Sequence, residues 1–233
     1  YLVLDEDFNT LASLGALKNL DMLVGGDKEF DSNVFYSSVY KAGQYEGSQY
    51  ALPMECNPTL MFVNKTLLQK EGIKVPDNDW TWDDFYDICK TIVKDSDGDG
   101  QMDQFGCYDY TWLQAVYSNG ITPFNQSGTF SNFLDEKFSQ SLEFVKRLEA
   151  TNRNYQVTSN DFDLGKVAFR PFTFSDYRTY MPYPWRIKKY SGFEWTCIRM
   201  PAGPSGDNRS EMSALMAGMS ERVVGLTVVA IGT

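Results

Sequence analysis

The sequence contains no histidine among its 233 residues. That removes Ser-His-Asp and Cys-His nucleophilic machinery, and every zinc site built on imidazole. Long apolar runs are missing too: none reaches the roughly 18 residues that a membrane-spanning helix needs. The longest candidate, VVGLTVVAIGT at the carboxyl end, is too short to cross and reads as a strand. No secretory signal is visible, and the opening YLVLDED starts in mid-pattern without a methionine, as expected of a piece of a longer protein. The cysteines (Cys56, Cys89, Cys107 and Cys197) are scattered and form no CxxC pair, so no disulfide framework is indicated. Cys89 falls on an apolar helix face and reads as a buried thiol. Basic charge is scarce: Lys and Arg number 21 against 31 Asp and Glu, a net charge of −10. One short stretch, 178–199, has five Lys or Arg against one Glu, which is a poor basis for binding nucleic acid.

Aromatic residues are plentiful. Fourteen Tyr, sixteen Phe and five Trp make 15% of the chain, and many sit among polar groups, as in CYDYTW and FTFSDYRTYMPYPW. Such mixtures suit a half-wet binding surface, although core filling is the commoner use of any single ring. Acid is concentrated as well, with ten Asp, no Glu and two Lys in 77–109. Within that run, DSDGDGQMDQFG places Asp95, Asp97, Asp99 and Gly100 at the first, third, fifth and sixth places of a calcium loop, and Asp103 at the ninth. The twelfth place, where an EF-hand supplies a bidentate Glu, is Gly106. Either a solvated acidic turn or a cation site fits this pattern.

The periodicities alternate between strand and helix. Residues 5–23 read as a helix with a glycine break, followed by an irregular loop. YEGSQYALP reads as a hairpin turning at Gly47-Ser48, with a strand starting at Tyr50 to Leu52. Thr59 to Val63 is a short strand; Asn64 then caps a helix through Lys70, which Gly72 stops. Thr81 caps TWDDFYDICKTIVK, where Asp83 and Asp84 favour the helix dipole. Phe85, Ile88, Cys89, Ile92 and Val93 form its buried stripe. Trp112 to Val116 is a further helix, and Gly120 and Gly128 bracket a loop. Phe133 to Ala150 reads as an amphipathic helix with Phe138, Leu142, Val145 and Leu148 on one side. Strands are expected at Val167 to Phe169 and Trp195 to Ile198, the latter ending in the turn-rich PAGPSGDNR. The alternation argues for an α/β architecture. Trp80, Trp82 and Phe85 are expected in the core.

Four motifs in order resemble the extracellular solute-binding proteins of ABC importers, the maltose-binding-protein-like sugar receptors. They are YEGSQYALP followed by LMFVNKTLLQKEGI, WTWDDFYDICKTI, DSDGDGQMDQFG, and GKVAF with PAGPSG about thirty residues on. Val63 and Phe169 depart from the family's usual Tyr and Met, and the tail does not match its continuation. The resemblance implies a periplasmic-binding-protein-like type II fold, truncated, with one lobe nearly complete and part of the other. In that frame residues 1–53 end the first lobe, 54–213 form the second, and 214–233 hold a return crossing and the unmatched tail. It also implies a sugar or oligosaccharide ligand, ABC permease subunits as partners, a monomer, and a cell-surface lipoprotein or periplasmic location.

Sugars offer hydroxyl groups at their edges and C–H patches on their faces, so a site for them needs acids, amides and exposed rings. The resemblance points to Glu55 and Asn57 at the first crossing, to Asp109, Tyr110 and Trp112 in CYDYTW, and to Phe174, Asp176 and Tyr177 after GKVAF. Arg178 and Trp185 are weaker candidates. For calcium the candidate ligands are Asp95, Asp97, Asp99 and Asp103 with the Gln101 carbonyl, in a structural role. Two rivals stand beside the receptor reading. A glycoside hydrolase would use Glu55, Asp109 or Asp176 as its carboxylate pair. A calcium-dependent adhesion module would need a second Asp-rich loop, and the sequence has one.

Overall fold

The computed structural model describes residues 2–5, 7–125, 128–176 and 192–222. Tyr177, Arg178, Trp185 and the tail 223–233 lie outside the described residues. The chain divides into two units, Tyr1–Asn57 with Met212–Thr233, and Pro58–Glu211. The first contains β1 (Leu2–Leu4), α1 (Phe8–Ser13), α2 (Asp21–Gly26), α3 (Ser37–Ala42), β2 (Gln44–Tyr45), β3 (Ser48–Gln49) and the start of β4 (Ala51–Asn64). The second contains the rest of β4, then α4 (Lys65–Lys70), α5 (Trp82–Ile92), β5 (Phe105–Cys107), α6 (Trp112–Ser118) and α7 (Glu136–Ala150). It continues with α8 (Ser159–Asp163), β6 (Val167–Thr173) and β7 (Trp195–Ile198), and β8 (Met212–Gly218) belongs to the first unit.

In the first unit β1 pairs antiparallel with β8, Leu4 opposite Met216. Leu4, Phe8, Ala12, Leu17, Ala51 and Met216 form its core. The single helix expected in residues 5–23 is two, α1 and α2, because the chain leaves helical geometry at Gly15 (φ +65°) and restarts at Asp21. The hairpin turns one residue earlier than the sequence suggests. Glu46 and Gly47 carry the positive φ values, +49° and +86°, and two such residues match the right-handed twist of the flanking strands.

The second unit is built on a sheet in the order β7-β4-β6-β5. β4 runs antiparallel to β6 and β7, with Thr59 opposite Thr173 and Met61 opposite Ile198, while β5 runs parallel to β6. Both faces of this sheet are buried. On one face Met61, Val63, Ala168 and Phe169 meet Phe85, Cys89 and Ile92 of α5 and Phe144 and Leu148 of α7. On the other, Phe62, Phe105, Val167 and Phe172 meet Phe162 of α8. Alternate residues of one strand thus serve two cores. The two short strands expected on either side of Met54 to Pro58 are one continuous β4.

The caps confirm local chemistry. The Asn64 side chain accepts the Leu67 N–H at 2.9 Å, and Thr81 and Asp84 form a reciprocal capping box. Trp80, Trp82 and Phe85 are core residues, with Trp82 stacked on Phe144 at 4.2 Å. Helix α7 begins at Glu136 rather than Phe133, because the Asp135 carboxylate takes the Lys137 N–H at 2.8 Å. Its buried stripe is Phe138, Ser141, Phe144 and Leu148, so Leu142 faces out at 44% exposure. The PAGPSG turn lies against the end of α6. A Cβ on Gly206 would meet the Ser118 carbonyl at 2.0 Å, so only glycine lets the two backbones approach.

Candidate functional site

Parallel β5 and β6 end at the same edge of the sheet, and β4 enters there opposite Thr173. In open α/β sheets this carboxyl edge is where ligands dock. Beyond β5 the chain passes through Tyr108 to Tyr110 and starts α6 at a capping box between Thr111 and Gln114. Between this segment and the end of α7 with its following loop lies a cavity of about 750 Å³. The wall residues that bear on its chemistry are Tyr108, Asp109, Tyr110, Trp112, Asn152 and Tyr155.

Trp112 presents an open ring, 42% exposed. Asp109 is exposed and holds φ at +64°, a left-handed conformation that Asp tolerates at modest cost. Tyr155 is 44% exposed and stacks on Phe105 at 4.4 Å, while Asp161, 3.4 Å from its hydroxyl, raises its pKa. The Asn152 Oδ1 is buried with no hydrogen-bond partner among the described residues. Tyr108 is braced by the Arg170 guanidinium, 4.9 Å from its ring centre.

The sequence-derived residues fare unequally. Asp109 and Trp112 come together at the cavity. Tyr110 lines the same cavity, but its ring is a core element rather than an open stacking face. It is 6% exposed, packs edge-on to Phe85 at 5.1 Å, and places its hydroxyl 3.4 Å from Ser118. Burial accordingly pushes that phenol's pKa up. Phe174 and Asp176 follow β6 at the same edge, Phe174 41% exposed. The Asp176 carboxylate accepts from the Thr173 hydroxyl at 2.7 Å, and the Asp176 N–H returns to that hydroxyl at 3.3 Å. Glu55 and Asn57 sit on the part of β4 that belongs to the first unit, Glu55 exposed and Asn57 half-buried.

Glu211 was not evident from sequence. Its backbone carbonyl accepts the Thr59 N–H at 3.0 Å, placing it at the same edge, and its Oε2 lies 3.5 Å from the Gln114 Nε2. Burial raises its pKa above the usual carboxylate range. Burial pushes the Cys107 and Cys89 thiols well up and Cys197 to about 12, so none of these three is a ready nucleophile.

The acidic loop folds on its own backbone. Asp95 accepts the N–H groups of Gly98 at 2.7 Å and Gly100 at 2.8 Å, and these bonds, Gly100's first, hold its carboxyl below the usual range. Asp99 accepts from Gln101 N–H, and Asp103 from Ser96 N–H. One oxygen from each of Asp95, Asp97 and Asp99 lies within 4.8 Å of the others, a grouping that does not include Asp103. An ionised carboxylate keeps spare lone pairs after one such bond, so these three fit a hard cation.

The chain has an α/β unit with a partly aromatic cavity at the carboxyl edge of its sheet, the place where such sheets commonly take small ligands. Residues 3–221 match the family of bacterial extracellular solute-binding proteins, and the chain belongs to that family. Solved structures share the fold. The substrate-binding protein Lmo0181 of Listeria monocytogenes, in complex with cycloalternan, matches at 20% identity and a TM-score of 0.68, over 95% of this chain and 56% of its own. The cyclic alpha-maltosyl-1,6-maltose binding protein of Arthrobacter globiformis matches at 16% and 0.73, over 94% and 56%. A solute-binding protein of Agrobacterium vitis with bound D-mannitol matches at 18% and 0.65, over 95% and 55%. The chain therefore spans a little over half the length of these structures. Among the described residues no helix is long and apolar enough to cross a membrane.

Proposed function

We propose that this protein is the substrate-capturing component of a carbohydrate ABC importer, and that the cavity beyond β5 receives the sugar. The observation that carries the reading is the wall itself: the open Trp112 and Tyr155 rings beside the exposed Asp109. Rings take the C–H faces of a sugar and the polar groups take its hydroxyls. Phe174 and Asp176 extend the same edge. The two units, Tyr1–Asn57 with Met212–Thr233 and Pro58–Glu211, take the part of the lobes that the resemblance sets at 1–53 and 54–213. The protein works as a monomer outside the cytoplasm, as a lipoprotein or a periplasmic protein, and hands its cargo to permease subunits. Calcium on Asp95, Asp97 and Asp99, with the Gln101 carbonyl and Asp103 nearby, is a structural ion.

The protein is a receptor and not an enzyme. The family to which the chain belongs is one of solute-binding proteins, which supports a receptor over a glycosidase and its pair of carboxyl groups about 5–9.5 Å apart. A thermal-shift screen of mono- and oligosaccharides, with chromatography of the incubated sugars, tests this. Stabilisation by at least one sugar without products is expected; products would mean a hydrolase, and stabilisation by no sugar would mean another solute.

A further inference from the structure

A second cavity, of about 430 Å³, is enclosed by the start of α5, the middle of α7 and the turn Ala202-Gly203-Pro204. It shares no residue with the cavity beyond β5. Its wall is tied together through the backbone. The Ala202 N–H donates to the Trp80 carbonyl, the Trp82 N–H to the Ala202 carbonyl and the Gly203 N–H to the Ser118 carbonyl, each at 2.9 Å. Trp82 and Phe144, both buried and stacked at 4.2 Å, give it an apolar floor. Two charged side chains on α7 line it as well. Glu143 and Arg147 stand four residues apart, acid before base, the order that favours an ion pair on a helix. They form none. The Arg147 guanidinium lies 4.5 Å from the Tyr86 ring centre and 5.5 Å from that of Phe144, and its Nη2 is 3.6 Å from Asp83, beyond hydrogen-bond length. Glu143 is exposed and has no ion pair among the described residues.

We propose that this cavity is a second ligand site, for a small zwitterion with an apolar body, such as a free amino acid with an aliphatic side chain. The ligand carboxylate takes the guanidinium fork of Arg147, which offers paired N–H donors. The ligand ammonium takes the Glu143 carboxylate, and the apolar body rests on Phe144 and Pro204. Charge complementarity selects this class. A simple anion would face Glu143 and Asp83 unshielded, a simple cation would face Arg147, and a neutral sugar would answer neither charge. Side chains four apart on a helix have their Cβ atoms about 5–6 Å from each other, a gap that one zwitterion can bridge. The volume lies in the lower part of the range of about 300–1,000 Å³ for small-molecule sites. A wall already tied by its backbone bonds needs little ordering on binding. The inference goes beyond the receptor reading and does not depend on it.

Calorimetric titration of the full chain with L-leucine at low ionic strength tests it, beside N-acetyl-leucine, which keeps only the negative charge, and leucinamide, which keeps only the positive one. Leucine should bind saturably with a dissociation constant of about 1 mM or below, and each blocked form about tenfold more weakly or worse. Glu143→Gln should weaken leucine about tenfold and leave N-acetyl-leucine no weaker; Arg147→Met should weaken leucine and leave leucinamide no weaker. No saturable heat from leucine, equal affinity for the blocked forms, or wild-type affinity in both variants overturns the proposal. Should Arg147→Met loosen the fold through lost packing on Tyr86, Glu143→Gln and the blocked ligands on the unaltered protein decide. Saccharides titrated separately read the receptor, so the two readings fail independently.

Discussion

Gly106 is the residue at which the calcium-loop pattern fails, and its surroundings supply a reason that has nothing to do with metal. It lies in β5, buried beneath α5, where a Cβ would meet the Cys89 Cβ at 2.4 Å, its Cα at 2.6 Å and its Sγ at 2.7 Å. Ordinary contact begins near 3.4 Å, so Gly106→Ala must push α5 away by about 1 Å. A gap of that size forfeits a quarter to a half of each dispersion contact, and it opens under Phe85, Cys89 and Ile92, all fully buried. Overpacking of this kind costs about 1–3 kcal/mol; movement of a whole helix places this site near the top, about 3 kcal/mol. With a urea slope of about 3 kcal/mol/M the midpoint should fall by about 1 M. Circular dichroism at 222 nm during urea titration reads it. Adding Cys89→Ala removes the sulfur but leaves the two nearer carbons of residue 89 in the way, so it should not rescue. A fall below about 0.2 M, or recovery in the double variant, would refute the packing argument.

Glu71 accepts hydrogen bonds from Lys94 and Gln104, Lys94's being the stronger, and these hold its carboxyl below the usual range. A depressed folded pKa means stability present above the unfolded value of 4.5 and lost as pH falls through the folded one. Glu71→Gln should therefore cost about 1 kcal/mol at pH 7 and flatten the acid limb of a denaturation–pH profile. Glu211 carries the opposite sign: its folded pKa is raised, so stability is full below 4.5 and lost as pH rises through the folded value. In Glu211→Gln that loss should vanish, again read from urea midpoints against pH. Calcium should raise the melting temperature, and Asp97→Asn should abolish the increase; no shift at millimolar calcium in the unaltered protein would assign the loop to a solvated turn.

Local chemistry was legible from sequence and long-range geometry was not. Asn64 and Thr81 were readable as caps because the donors they satisfy lie within three residues. The start of α7 was misjudged because hydrophobic pattern favoured Phe133, while Asp135 won through a hydrogen bond to Lys137 N–H. The buried stripe is centred on Ser141 and Phe144 rather than Leu142, because Phe144 stacks on Trp82, while Val145 packs against the same core. β5 is too short to show a period, so the pairing that brings Tyr108 to Trp112 beside the end of α7 left no trace in the pattern. Asp109 and Trp112, which a motif marks out, line the cavity, whereas Tyr155, Asn152 and Glu211 reach the edge only by tertiary folding. Tyr110 shows the limit of composition, since the residues around it in CYDYTW do not reveal which ring turns inward.

Whether the cavity beyond β5 holds a sugar decides the function of this protein. Titrating the saccharide that most stabilises the protein into wild type and Trp112→Ala is the most direct measurement. Saturable binding that weakens at least about tenfold in the variant, with its melting temperature unchanged, is the expected result. Wild-type affinity in Trp112→Ala would place the ligand elsewhere and contradict the central claim.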